Sequence, residues 1–582
     1  MRPTRTSRHI GAYVPVHVVY PGVKAEPKTL VQLLSTMNRN ETIVVCCFAN
    51  IAVAGHSGPD QKAQQQAMIR ELLPKGAADR IDAFVREKQL QGSPTVFFRG
   101  QLLELIRWAA RYGDRSGADP QFSGDAANRE KFAKAALICS DLWGERIYAK
   151  RLRATGDPTQ DRQRALGAFR KGVEESGQAI NPAQTLGRGW LLFMEHMPRR
   201  YPQFAAVFEK ATGLTVRQYL LLTAALAGHA SASGQLSPII SETRMAAATA
   251  YKELAPRYLK LESQTADELA MSLWDAPFAT NAYRSLRERP LIRGVDDRMV
   301  ISDPIFFSER VSIGPLFHVV AAVRGKKSNE VFGAFGNAFE DYAGGILDRM
   351  YPTRPGLVAR LARNVKVGDL EIDAVMNDSK FVILIEMKAA WLREDVILED
   401  APDRLIERLR TLYGVSSDKE ERPKGVAQLA RLINSILADR ASAAGGQFQK
   451  VEVFYPVLLV HDVNLSAPAS GHFLNEEFQK LLAKPPPSVR VAPLIIMTIS
   501  DLEHLESSVG KFTLRKLLAD YDSSSGDRMQ SLLNYIVGSE YRELMIANRS
   551  LTTAAEHLLN EASKELFPGH TDNHGTEPSA SL

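Results

Sequence analysis

Apolar positions recur along this chain with two different periods, and the change between them divides it. Between residues 61 and 286 they return every three to four positions, the spacing of one helix face. This predicts helices over 62–73, 77–91, 101–112, 128–153 and 160–175, and again over 202–211, 215–227, 241–258 and 265–274. Loops rich in Gly, Ser and Asp at 113–126 and 228–237 punctuate the array, and no fixed repeat period shows. Residues 1–60 read as a mixed start: a strand over 14–20, a helix over 29–37, then the apolar run 43–53. After residue 287 short apolar runs alternate with helical stretches. Strands are predicted over 365–376, 381–387, 451–460 and 489–499, and helices over 330–350, 401–412, 425–438 and 476–482. Three successive prolines make 483–488 a rigid connector, and Ser500 or Asp501 is placed to cap the helix that follows.

Such alternation predicts an α/β domain, a mixed central sheet flanked by helices, preceded by a large mainly α-helical domain. The expected organisation is a short mixed segment (1–60), a helical domain without visible chemistry (61–286), the α/β domain (287–520), C-terminal helices (521–566) and a polar, disordered tail (567–582). A composition of 45% hydrophobic and 24% charged residues over 582 positions excludes a disordered, collagen-like or disulfide-scaffold chain. The three cysteines, Cys46, Cys47 and Cys139, form no C-x-x-C pair and are expected as buried thiols in a reducing cytosol. The basic N-terminus lacks a continuous apolar stretch, and apolar runs reach only about ten residues against the roughly 20 of a membrane span. A cytoplasmic protein without membrane contact is expected. The net charge of +5 leaves room only for a local basic surface.

The chemistry concentrates in residues 370–391. Asn377 to Lys380 is a turn by composition, and 381–385 is an unbroken apolar run, the mark of a strand buried on both faces. That strand ends in Glu386-Met387-Lys388. Period two puts Glu386 and Lys388 on one face, and an antiparallel hairpin brings Asp373 beside them. Glu371 and Asp369 are expected to face solvent, and because Glu371 shares the strand face of Asp373 a swap of roles between those two is the alternative. Burying two carboxylates and a lysine together is costly without compensation, and a divalent cation supplies it. Mg²⁺ takes hard oxygen ligands, here Asp373, Glu386 and the Met387 backbone carbonyl, with Lys388 beside the attacking water. Upstream, Phe332, Phe335, Phe339 and Tyr342 form one helix face, Glu340 follows directly, and Gly336 permits close approach to the sheet.

The set Glu340, Asp373 and Glu386-x-Lys388 resembles the PD-(D/E)XK nuclease superfamily, the restriction-endonuclease-like fold. The order of elements and the 13-residue step from Asp373 to Glu386 match its helix Glu, strand Asp and Glu-x-Lys after a hairpin. Ile372 stands where the family has its nominal proline. Gln428 matches a glutamine of the helix after the core, with Leu432 where an aromatic residue often follows. The resemblance covers about residues 287–520. It implies a nuclease core that hydrolyses phosphodiesters with Mg²⁺, or Mn²⁺ in its place. The expected substrate is nucleic acid, most directly DNA, in restriction or anti-phage defence. Arg360, Arg363 and Lys366 are candidate phosphate contacts, together with Gln428. A homo-oligomer or a defence-system partner protein would add affinity that the slight net charge does not. The alternatives are an RNA target, or a silent nuclease fold kept for binding and assembly. No P-loop, nucleophile elbow or H-E-x-x-H motif competes, and His461, His472 and His504 read as structural or surface residues.

Overall fold

The computed structural model describes residues 13–54, 59–88, 95–116, 125–148, 158–176, 182–231, 239–273, 283–294, 297–323, 325–352, 361–378, 380–392, 396–397, 402–415 and 424–568. Helices dominate these residues, and two sheets stand among them. The smaller has four short strands, β1 (Ile239–Ser241), β2 (Ser263–Thr265), β3 (Leu291–Arg293) and β4 (Arg298–Ile301), in the order β1-β4-β3-β2. The larger holds β5 (Leu361–Val367), β6 (Leu370–Asp378), β7 (Phe381–Lys388), β8 (Val453–Val460), β9 (Arg490–Val491) and β10 (Ile495–Thr498). Its order is β10-β8-β7-β6-β5, with β9 beside β8. β5, β6 and β7 form an antiparallel meander, whereas β7, β8 and β10 run parallel. Parallel neighbours need a crossover, and the Pro402–Tyr413 and Gly425–Ala438 helices lie between β7 and β8 in sequence. A mixed sheet following a mainly helical half agrees with the patterning.

Alternation along β7 sorts its side chains between two cores. Ile383, Ile385 and Met387 join Phe335, Phe339 and Ile346 of the Lys326–Met350 helix, while Val382 and Leu384 join Val426, Leu429 and Ile433 of the Gly425–Ala438 helix. Helices of the N-terminal half reach both: Phe193 and Tyr219 belong to the first core and Phe169 to the second. Packing therefore crosses residue 287 without a break. Buried arginines reinforce it. Arg99 is bidentate to Asp303 (2.7 and 3.0 Å), Arg310 to Glu262 (2.6 and 3.2 Å) and Arg188 to Glu503 (2.7 and 2.6 Å).

Several expected elements take another form. Residues 14–20 hold a short helix, Val16–Val19, entered from Pro15, instead of a strand. The strand expected over 365–376 is two, because Gly368 (φ 61°) turns the chain between β5 and β6. That over 489–499 is split into β9 and β10, with Pro493 between them. Asn377 and Asp378 still belong to β6, so the turn is shorter than expected. Residues 241–258 are not one helix: Ser241 ends β1 and caps Glu242–Ala248, and a second helix, Leu254–Glu262, follows. Thr498, not Ser500 or Asp501, is the N-cap of the Ile499–Glu506 helix, and Asp501 completes its capping box. Most of the tail (569–582) lies outside the described residues. All three cysteines are buried free thiols, as expected. Among the described residues one helix, Pro304–Val323, is long and apolar enough to cross a membrane; 61% of its apolar window is buried inside the protein.

The Glu262 pair makes this packing testable. Burial pushes its carboxyl up, but Arg310 and His318 overcome that and hold it down to about 2. A carboxyl lowered in the folded state contributes stability that is full above its ordinary value of 4.5 and lost as pH falls toward about 2. Arg310→Met should lower the unfolding free energy by about 3–5 kcal/mol near neutral pH. In urea unfolding followed by circular dichroism, the gap to wild type should shrink in acid.

Candidate active site

β7 carries its charged end into a buried place. Glu386 lies on the face covered by the Gly425–Ala438 helix and is 1% exposed. Lys388, two residues on, donates from Nζ to Glu386 Oε1 at 2.9 Å, with its side chain 24% exposed. Gly425 adds a backbone N–H that favours the charged form of Glu386. Glycine is required there: φ is 57°, and a side-chain carbon would lie 2.0 Å from the Tyr413 carbonyl oxygen.

Asp373 enters where the sheet comes apart. The β6–β7 ladder runs to the pair Ala374–Ile385. The next hydrogen-bonded position would join Met387 to Ile372, but Asp373 Oδ2 accepts the Met387 N–H instead, at 2.6 Å. On the other side, β5 places Asn364 in the left-handed region (φ 52°) opposite Asp373, and the pair is missing from that register. The Lys388 carbonyl accepts the His461 N–H from the β8 side, so alternation turns the Met387 carbonyl toward β6, past the end of the ladder. Of the two carboxylates on this strand face, Asp373 joins the site and Glu371 stays exposed.

Glu340 comes from the opposite core. Its helix packs Phe335, Phe339 and Tyr342 into the protein, as expected. The glycine that allows close approach is Gly344, not Gly336. A side-chain carbon on Gly344 would lie 1.8 Å from the Arg363 guanidinium, whereas nothing lies within 4 Å of one on Gly336. Arg363 then donates to the Glu340 carbonyl at 3.1 Å, fastening that helix turn to β5.

Burial sets the electrostatics. It pushes Glu386 up to about 8, with Lys388 pulling down and Asp373 pushing up. Burial, then the Asp373 charge, pushes Glu340 up to about 7 against the pull of Lys388. Asp373 is also raised by burial, against the Met387 N–H and Lys388. Lys388 loses to burial but gains more from Glu386, Asp373 and Glu340, and ends raised. Such mutual crowding favours a cation among the three carboxylates. Glu386 Oε2 is buried without a hydrogen-bond partner, so an oxygen of the cluster is left unsatisfied. Asp373, Glu386 and the Met387 carbonyl offer the oxygen ligand types that a hard divalent ion takes, with Glu340 as a further oxygen. Among the described residues no three His, Cys, Asp or Glu side chains are grouped so as to hold a metal ion; the Lys388 ammonium stands on Glu386.

The other expected residues spread out. Gln428 donates to the Glu371 carbonyl at 2.5 Å, tying its helix to β6. Lys366 is exposed and pairs in register with Glu371. Arg360 lies outside the described residues. His461 gained no role from its sequence position. It is buried beside the site among Phe335, Phe339 and Trp391 (ring centroids 5.3, 5.5 and 5.0 Å), with both ring nitrogens unpartnered. Its signal was its place directly after the apolar β8 run.

A carboxyl raised by folding keeps a proton that the unfolded chain gives up. Its stabilisation is full below its ordinary value and is lost as pH rises, here between 4.5 and about 8 for Glu386. In metal-free protein, Glu386→Gln should therefore gain thermal stability over wild type at the upper end of that window and little at the lower end, as read by calorimetry. No family model matches the chain, and no curated protein or solved structure matches it either.

Proposed function

We propose that this chain is a Mg²⁺-dependent nuclease with a restriction-endonuclease-like core, hydrolysing phosphodiester bonds of DNA, with restriction or anti-phage defence as its setting. One observation carries the reading. The β6–β7 ladder is broken at the point where Asp373 meets the Glu386–Lys388 pair. Opening a sheet and burying Glu386 beside two half-buried charged groups has a folding cost that chemistry at the site would explain.

The residues divide the work. Asp373 keeps Oδ2 on the Met387 N–H, which fixes the direction of its second oxygen. Lys388 uses one donor on Glu386 and has two more for a scissile phosphate and the attacking water. Glu340, raised by burial and the Asp373 charge when no cation is present, would serve as a further oxygen contact to the ion or its water. Mg²⁺, or Mn²⁺ in its place, would offset charge on the phosphate and make water a stronger nucleophile.

A second reading, a silent nuclease-fold module for binding or assembly, is favoured by the Lys388 ammonium lying on Glu386 where a cation would otherwise stand. Calorimetric uptake of Mg²⁺ or Mn²⁺ separates the two. With either metal, purified protein should cut circular duplex DNA. Lys388→Ala and Asp373→Ala should each cut at least about 100-fold more slowly. Wild-type rates in either variant would sink the assignment. RNA and single strands in the same panel decide the substrate.

A further inference from the structure

Glu340 is the member of the site delivered by a helix rather than by the sheet. The positions around it are held by one stretch from the N-terminal half. Asp341 accepts two hydrogen bonds from Arg200, Nε to Oδ2 and Nη2 to Oδ1, both 2.6 Å. The Tyr342 ring meets His196 at 5.8 Å, and its hydroxyl donates to Glu503 at 2.7 Å, the carboxylate that Arg188 holds. Two turns before Tyr342, Phe335 meets Phe193 at 6.3 Å. Arg188, Phe193, His196 and Arg200 all lie between Pro182 and Arg200.

That stretch has an unusual backbone. The Pro182–Leu191 helix passes through a π-helical turn, Leu192–His196, before ending in Met197–Arg200. One extra residue in a turn rotates everything beyond it by about 100°. The turn thereby changes the direction in which Arg200 leaves the helix. The Arg200–Asp341 pair is planar and two-pronged, so it fixes direction as well as distance.

We propose that Leu192–Arg200 is a positioning arm of the metal site, with Arg200, through Asp341, fixing the helix turn that presents Glu340. The inference rests on the nuclease reading and gives the helical half a part in the site. Arg200 also compensates Asp341, which keeps a fourth bare carboxylate from standing next to Glu340.

Arg200 is a fair target because its side chain is 44% exposed, so its removal opens no core cavity. The test uses the full chain with Arg200→Ala and Arg200→Lys, each alone and combined with Glu340→Gln. Four quantities are measured: Mg²⁺ affinity by calorimetry, hydrogen exchange of amides 336–344 without metal, DNA affinity by anisotropy, and single-turnover plasmid cleavage. Arg200→Ala should weaken Mg²⁺ binding and slow cleavage by about tenfold. It should speed exchange over 336–344 and leave DNA affinity unchanged. Arg200→Lys should recover part of the loss. In the Glu340→Gln background Arg200→Ala should have no further effect, because the two act in series. Unchanged exchange and Mg²⁺ affinity in Arg200→Ala, or its full effect persisting without Glu340, overturns the arm while wild-type cleavage keeps the nuclease reading. A wild type that neither takes up Mg²⁺ nor cuts any nucleic acid overturns both.

Discussion

Glu386 is a carboxylate carried into the interior by the strand that delivers it, and the surrounding structure answers the cost of that burial. β7 is apolar over 381–385, so it folds with both faces covered, and the residues next in line go inside with it. A buried carboxylate needs an opposite charge, hydrogen bonds or a proton. Lys388 supplies charge and the Gly425 amide supplies a dipole, and both pull the Glu386 carboxyl down against the push of burial. Gly425 must be glycine, Asp373 must leave the ladder, and Asn364 must turn left-handed beside it. Asp373 and Asn364 are opposite one another in register, and Gly425 reaches the same cluster through its N–H toward Glu386.

Away from the cluster the molecule is stabilised by ordinary means, with one recurrent device. Arg99–Asp303, Arg310–Glu262 and Arg188–Glu503 each bury a planar guanidinium against a carboxylate far away in sequence. A buried pair of this kind adds little net stability over an apolar pair, but it tolerates only one geometry. It therefore fixes how helices seat rather than how strongly they hold. Arg188 joins the N-terminal half to Glu503, and Glu503 to Tyr342, two residues beyond Glu340. Helices that show no chemistry of their own are thus joined by hydrogen bonds to the helix that carries Glu340.

Part of this was legible because it follows from local period and order. The apolar run 381–385 with Glu386-x-Lys388 behind it predicts a central strand with two polar side chains on one face, and β7 is that strand. The aromatic face of 332–342 predicts the buried side of the Lys326–Met350 helix and the place of Glu340 beside it. What failed locally failed for local reasons. Gly368 and Pro493 cut strands that hydropathy alone runs together, and Pro15 starts a helical turn where β-branched residues suggest a strand.

The sequence by itself determined the alternation of elements, the mixed α/β character of the second half and which charged residues reach the end of β7, because periods of two and 3.6 depend only on neighbours a few residues apart. Glu371 is exposed and Asp373 turns inward as the sequence suggested, but only tertiary structure excluded the exchange of their roles, since that depends on where the β6–β7 ladder stops. It also decided that Gly344 rather than Gly336 admits a close neighbour, since that neighbour, Arg363, comes from another element. Likewise, Arg200 meets Asp341 and His196 meets Tyr342, the residues that follow Glu340, across more than a hundred positions, and no local pattern encodes such a meeting.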